Sequence, residues 1–492
     1  MNAKTATGLV TLLVLTLSAC GGGGGGSGDE VAAVPAANAA PVASFTVTPS
    51  SGVAPLTVQF DATASADSDG SIATYGWNFG DNSAAGSGLK PSHSFQAPGT
   101  YTVTLTVTDN RGATALATRQ VSTSQPAGQN PTLSKIATID NGDMTVCAVG
   151  VDGKAWCWGQ NNYGQLGTGD TVKAYAPRTT AEGHVFRKIS VSTGGAFACG
   201  ITTAGAAYCW GSQEGGRLGD GTMAPVGSIV SAPVPVSGGR TYVDIAAGGD
   251  HACAIAEGGA AYCWGHNERG QLGTGNATGS AVPAGVSGGL KFTSITTHQM
   301  VSCGIAADST GYCWGNGSEG NLGVGSKSSS NVPAPIKGGL KFTSLQLGVW
   351  TACGVTTNGE GYCWGGNGSG ELGIGSKSPT EALEPLKVAG GYTWKAITPG
   401  VSVTCGVTAE GRGLCWGGNT WGERGDGPFP APDVTSPVPV AGDLTFQSID
   451  ADWCTCGVAS NVAYCWGLGQ EGCIGDGAQV NRGVPTKVAG QP

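Results

Sequence analysis

Cysteine is the residue best equipped for chemistry in this chain, with 17 copies in 492 positions. Fourteen fall into pairs: Cys147 and Cys157, Cys199 and Cys209, Cys253 and Cys263, Cys303 and Cys313, Cys353 and Cys363, and Cys405 and Cys415 enclose nine residues each, while Cys456 and Cys465 enclose eight. Structural zinc needs four convergent ligands, usually set two to four residues apart, and one isolated pair per segment does not converge. The spacing suits a hairpin instead. Between Cys199 and Cys209 the centre is Ala204, followed by Gly205, the layout of a three-residue loop whose glycine takes a left-handed bulge. Gly153, Gly259, Gly359 and Gly411 repeat that placement, Ser309 departs from it, and Ser460-Asn461 reads as a two-residue turn. In this register each pair faces across its hairpin and is expected to form a disulfide. Reduced, buried cysteine is the competing reading. Closing a loop of this size stabilises by about 2–3 kcal/mol. Cys454 and Cys473 fall outside the pattern, on turns at one end of a four-stranded meander, and an eighth bridge is expected between them.

The remaining candidates supply no catalytic set. His93, His184, His251, His266 and His298 are scattered, and the chain has no His-Glu-x-x-His, Gly-x-Ser-x-Gly or Gly-x-x-x-x-Gly-Lys segment. Asp67, Asp69 and Asp81 stand near glycines, where acidic residues serve as turn formers more often than as calcium ligands. No cofactor and no metal are expected, and the chain reads as a non-enzyme. A net charge of −9 opposes a nucleic-acid partner, which needs a basic footprint.

The elements that carry these residues are short strands. Glycine (88) and proline (25) together make about 23% of the chain, roughly twice average usage, which disfavours long helices. Between residues 41 and 124, runs such as Leu56-Thr57-Val58-Gln59-Phe60 alternate with period two, which predicts an antiparallel β-sandwich. From residue 133 to residue 492 one unit recurs: a strand, a Cys, a second Cys, Trp-Gly, then Gly-x-Leu-Gly. The second cysteines are 50 to 54 residues apart, and seven such units predict an all-β, closed seven-bladed propeller of four strands per blade. In the third unit the strands read as Tyr242–Ala246, Cys253–Ala256, Ala261–Trp264 and Val282–Val286. The last strand is expected to dock beside the first and so remove exposed edges. Seven equivalent tryptophans, Trp158, Trp210, Trp264, Trp314, Trp364, Trp416 and Trp466, are expected between blades.

In an up-and-down blade, the turn between strands one and two and the loop between strands three and four emerge on one face. Asp250, His251, His266, Asn267, Glu268, Arg269, Met300, Trp350, Trp421, Asp452 and Trp453 fall in these segments. They are the ligand-contact candidates, although His251, after Gly248-Gly249-Asp250, also fits a structural role.

At the N-terminus, Lys4, the apolar run from Leu9 to Leu17 and the small pair Ser18-Ala19 form an export signal over residues 1–19. Leu17-Ser18-Ala19-Cys20 resembles the bacterial lipobox, which implies lipid attachment at Cys20 and a membrane-held protein; glycine after the cysteine implies outer-membrane sorting. Residues 20–40 read as anchor and flexible tether, and 125–132 as a linker between the two folded regions. Trp77-Asn78-Phe79-Gly80-Asp81, Pro98-Gly99-Thr100-Tyr101 and Val107-Thr108-Asp109-Asn110-Arg111-Gly112 resemble the PKD (polycystic kidney disease) domain, which implies a spacer or adhesion module. Tyr262-Cys263-Trp264-Gly265 with Gly270-Gln271-Leu272-Gly273, and Trp158-Gly159 with Gly164-Gln165-Leu166-Gly167, resemble the regulator-of-chromosome-condensation repeat, weakening at 422–425 and 472–475. The expectation is a monomeric envelope binding or scaffold protein, whose propeller faces a protein or polysaccharide with the PKD domain as stalk. The alternatives are a polymer-degrading hydrolase or lyase, and a proteinaceous enzyme inhibitor on the same propeller. Guanine-nucleotide exchange, the namesake family's activity, is opposed by export.

Overall fold

The structure, a computed structural model, describes residues 38–53, 56–81, 83–95, 99–124, 133–180 and 183–491. Cys20, the export signal and the linker at 125–132 lie outside them. Every described element is a strand.

In the N-terminal domain a three-stranded sheet (Thr46–Thr48, Leu56–Asp61, Ser92–Phe95) faces a five-stranded one, ordered Ser51–Val53, Thr114–Ser124, Gly99–Asp109, Ile72–Asn78, Gly86–Ser87. The alternating residues Val58, Phe60, Val103, Leu105 and Val107 close the core around Trp77, whose Nε1 donates to Gly88 O at 2.9 Å. One pairing departs from the antiparallel expectation: Ser51–Val53 runs parallel to Thr114–Ser124.

Seven four-stranded antiparallel sheets follow, each built from four consecutive strands. Blade 1 comprises Ile136–Gly142, Thr145–Gly150, Ala155–Gly159 and Ala174–Thr179, and blade 7 comprises Phe446–Asp450, Cys454–Ala459, Val462–Gly467 and Arg482–Lys487. In blade 3 the strands are Tyr242–Ala247, His251–Ala256, Ala261–Gly265 and Ser280–Gly285. The first strand of every blade lines the axial channel. The hairpin chemistry read from the sequence is present: Gly153, Gly205, Gly259, Gly359 and Gly411 have φ of 76–87°, Ser309 takes the same region at 67°, and Ser460 and Asn461 both have positive φ. Cys147 therefore stands opposite Cys157 with Cα atoms 4.1 Å apart and a bond between them, and the other six hairpins repeat this pairing. Cys454 bonds to Cys473, with Cα atoms 6.3 Å apart.

What joins blade to blade is the tryptophan of the third strand. Trp314 is fully buried and its Nε1 donates to Gln271 O of blade 3 at 2.9 Å; Trp158, Trp210, Trp264, Trp364, Trp416 and Trp466 make the same bond to the preceding blade. This contact explains the second glycine of Gly-x-Leu-Gly. At Gly273 φ is +68°, and a Cβ would stand 2.7 Å from Trp314 Nε1, so a side chain meets both strain and collision.

Ring closure differs from expectation. The last strand, Arg482–Lys487, pairs within its own blade and not with the first strand. Blades 7 and 1 meet through the same tryptophan bond, Trp158 Nε1 to Cys473 O at 2.9 Å, and through Leu133 N to Gly490 O (2.9 Å) and Ile136 N to Asn461 O (2.8 Å). Every blade consequently keeps an outer edge strand. A proline sits in each one, Pro177, Pro233, Pro283, Pro333, Pro385, Pro437 and Pro485, and without an N–H it blunts the edge against further pairing.

Candidate functional site

The turns between first and second strands gather round one mouth of the channel, bonded from blade to blade. Asp143 N donates to Asp452 Oδ2 (2.8 Å), Gly249 N to Gln299 O (3.0 Å), and Gln299 N to Thr193 Oγ1 (2.8 Å). On this rim stand Met300 and Trp350, 40% and 46% exposed, and the half-buried Trp453. Trp421 lies farther out, on the long loop of blade 6. Its backbone N–H donates to Glu423 Oε2 at 2.7 Å, which ties this stretch of the loop to the interior of its blade.

Toward blades 2 to 4 the same face becomes acidic. Arg217, almost wholly buried, lies 2.9 Å from Asp250 and 3.6 Å from Glu214. Glu268 is exposed, with His266 Nδ1 at 3.2 Å, and Arg269 is exposed beside it. Three sequence candidates behave differently. His251 is fully buried, with Nε2 at 2.8 Å from Ser302 Oγ, and this removes it from the surface set. Asn267, also buried, ties its loop together through Leu272 N, Asn276 O and Thr278 O. Asp452 is buried at the seam between blades 7 and 1.

The His251–Ser302 contact is not a nucleophile–base pair. Ser302 Oγ donates to Gln271 O at 2.8 Å, so the imidazole N–H donates to the serine oxygen, the reverse of proton abstraction. Burial drives the His251 pKa down to about 3, so the ring is neutral.

The channel holds charges that sequence reasoning missed. Asp140 accepts from Val191 N (2.7 Å), Asp450 from Asn141 N (2.9 Å), and Asp244 from Ile295 N (3.0 Å) while pairing with Lys188 Nζ at 2.6 Å. Each carboxylate thus caps an amide of the next blade's inner strand. Burial pushes Asp140 up to about 6 and Asp452 up to about 7, and it raises Asp450 as well, with the neighbouring Asp140 charge adding to the effect. The register could have revealed two of them, because Asp140 and Asp450 stand directly opposite Cys147 and Cys456, whereas Asp244 stands opposite Ile255. The cavity lined by Asp140, Lys188, Asp450 and Asp452 measures about 100 Å³, against roughly 300–1,000 Å³ for organic-ligand pockets, so it has room for water but not for a sugar. Among the described residues, no group of His, Cys, Asp or Glu is arranged to hold a metal. In the sandwich, Asp81 pairs with His93 (2.6 Å) and Asp69 with Arg111 (2.9 Å).

Comparison with known proteins follows this division. A PKD domain model matches residues 38–123, and a regulator of chromosome condensation (RCC1) repeat model matches 152–201, 204–255, 258–305 and 311–355. The chain is 34% identical over 147 residues to the E3 ubiquitin-protein ligase HERC2 of Homo sapiens, covering 29% of this chain and 3% of that protein. To the ultraviolet-B receptor UVR8 of Arabidopsis thaliana it is 32% identical over 149 residues, 30% of this chain and 33% of the receptor. It therefore spans a third or less of either relative. Among solved structures, Prp20p of Saccharomyces cerevisiae, described with its binding to Gsp1p and histones, superposes with a TM-score of 0.61 at 20% identity over 69% of this chain and 87% of that one. Human WBSCR16 gives 0.61 at 15% identity over 68% and 94%. These two likenesses concern the fold alone.

Proposed function

We propose that this chain, a PKD domain followed by a propeller of regulator-of-chromosome-condensation repeats, is a non-catalytic binding protein of the bacterial envelope. The propeller's loop face takes a protein partner, and the PKD domain serves as stalk. The observation that carries the reading is the apolar set on that face, Met300 and Trp350 at 40% and 46% exposure with Trp453 and Trp421 half-buried, on a scaffold of bonded blades. Loops on a rigid scaffold are the usual place for recognition, and tryptophan is a frequent anchor. Against enzymatic action stand the reversed His251–Ser302 bond and an axial cavity too small for a polymer unit. Lipid attachment at Cys20 and an outer-membrane address belong to the same proposal and rest on Leu17-Ser18-Ala19-Cys20.

The test is a pull-down with the lipid-free body from envelope extract, in parallel with a glycan panel. The combined Trp350→Ala, Trp421→Ala and Trp453→Ala variant is expected to lose the recovered partner while keeping fold and disulfides. Undiminished binding, or equal loss from substitutions in opposite-face turns such as Gly338-Gly339, overturns the reading.

A further inference from the structure

On the loop face, blades 4 to 7 present Met300, Trp350, Trp421 and Trp453, and blades 2 to 4 present Glu214, Asp250, Glu268 and Glu319, with Met223 and Val226 also exposed on the long loop of blade 2. The cations nearby do not balance them. Arg217 is 5% exposed and already lies between Glu214 and Asp250, so it lowers the local charge without presenting any to a ligand. Glu268, with its side chain 69% exposed, has the imidazole of His266 beside it; the exposed cations of this sector among the described residues are Arg269 and Lys327, and Lys327 is paired with Glu381 of blade 5. Glu319 has no ion-pair partner among the described residues. The opposite face differs: on its turns the exposed Lys135, Lys291 and Lys337 offset the exposed Glu257, Glu410 and Asp443, all outside every ion pair among the described residues, so it carries no comparable acidic excess. A cationic partner is thus drawn toward the loop face.

We infer that the ligand is a basic polypeptide segment carrying an apolar or aromatic anchor, the anchor seated over Met300, Trp350 and Trp453 and its lysines or arginines over Glu214, Glu268 and Glu319. This rests on the loop-face reading above and names the partner's chemistry. Charge complementarity selects this occupant: a neutral glycan leaves the carboxylates uncompensated, and an anionic polymer is repelled by them. Between exposed groups the attraction acts mainly on encounter rate, is screened over about 8 Å at physiological ionic strength, and so weakens with salt.

A displayed library of random peptides, selected on the full chain, tests the inference. Enriched peptides are expected to carry net positive charge together with Trp, Phe, Leu or Met. A synthetic peptide of the enriched type is expected to lose about tenfold in affinity on the Glu214→Lys, Glu268→Lys, Glu319→Lys variant, with the loss fading as salt is raised. The triple tryptophan variant is expected to lose it altogether. Enrichment of neutral or acidic peptides that still need the tryptophans overturns the basic-partner inference and leaves the face standing. Peptides indifferent to the tryptophans overturn the face reading itself. Failure to enrich any peptide overturns the inference.

Discussion

Replacing Cys454 and Cys473 together by alanine tests how the ring is held shut. Six of the seven blade interfaces are crossed by the chain itself, while the interface of blades 7 and 1 has no covalent continuity, and the additional disulfide lies within blade 7 beside it. Both half-cystines present backbone carbonyls to blade 1: Asn141 Nδ2 donates to Cys454 O at 2.5 Å, and Trp158 Nε1 to Cys473 O at 2.9 Å. The bridge therefore fixes two acceptors that clasp the first blade. With a sequence separation of 19 residues, its chain-entropy contribution is about 3 kcal/mol, only slightly more than that of a hairpin bridge. Global stability in denaturant is consequently expected to fall by similar amounts, about 2–3 kcal/mol, for this variant and for a Cys303→Ala, Cys313→Ala control in blade 4. What separates them is local. Hydrogen exchange at the Asn141 and Asp143 amides, which donate to Asp450 and Asp452 across the seam, is expected to accelerate in the first variant and not in the control. Equal protection of those amides in both variants, or equal exposure in both, refutes the latch.

Stability is expected to fall as pH rises from about 4 to about 7. In that window the folded state, with Asp140 near 6 and Asp452 near 7, binds more protons than an unfolded chain of ordinary carboxyls, so the contribution is complete below the unfolded pKa and lost through the folded ones. Asp452→Asn is expected to flatten that slope by roughly 2–4 kcal/mol across the window, read by urea denaturation at stepped pH; an unchanged slope rejects the assignment. Gly273→Ala, which drives a Cβ against Trp314 Nε1, is expected to cost at least about 2 kcal/mol, whereas Gly289→Ala, at φ +64° with nothing within 4 Å, is expected to cost only about 1 kcal/mol of backbone strain. Equal losses in thermal denaturation contradict the packing argument. Cys20→Ala is expected to leave the membrane fraction; retention after a carbonate wash rules out lipid attachment there.

Local chemistry made the blades legible. Nine residues between cysteines with a glycine past the centre specify a hairpin, and even Ser309, the exception, adopts the glycine's conformation because the ladder on either side fixes the turn. Ring closure was not legible, because it depends on which strand lies innermost. Once the first strand lines the channel, the fourth becomes the outer edge, and the prolines there have a purpose that a closed-edge picture leaves unexplained. The channel carboxylates were missed for a similar reason. Asp140 and Asp450 look like isolated acids in sequence, and only the alignment of blades brings each to a neighbour's amide. His251 was half read: its glycine-rich setting suggested a structural role, and burial against Ser302 agrees with that.

A repeated chain carries its own controls. The residues that recur in all seven blades, the paired cysteines and the tryptophan, are turned into the blades or between them, and their solvent exposure is 2% or less. A ligand cannot reach them. The position just before the first glycine of Gly-x-Leu-Gly behaves otherwise: it is Tyr163 in blade 1, Arg269 in blade 3, Glu319 in blade 4, Trp421 in blade 6 and Glu471 in blade 7. No packing demand is common to an aromatic ring, a guanidinium and a carboxylate. The turn in which they sit is held by other means, Asn161 to Leu166 N in blade 1, Asn267 to Leu272 N in blade 3 and Asn419 to Arg424 N in blade 6. With the backbone secured from beneath, this outward residue can differ from blade to blade at little cost in stability. The varied chemistry of the loop face, aromatic in one blade and acidic in the next, arises through that freedom, because the scaffold fixes where the loops stand and leaves their chemistry open.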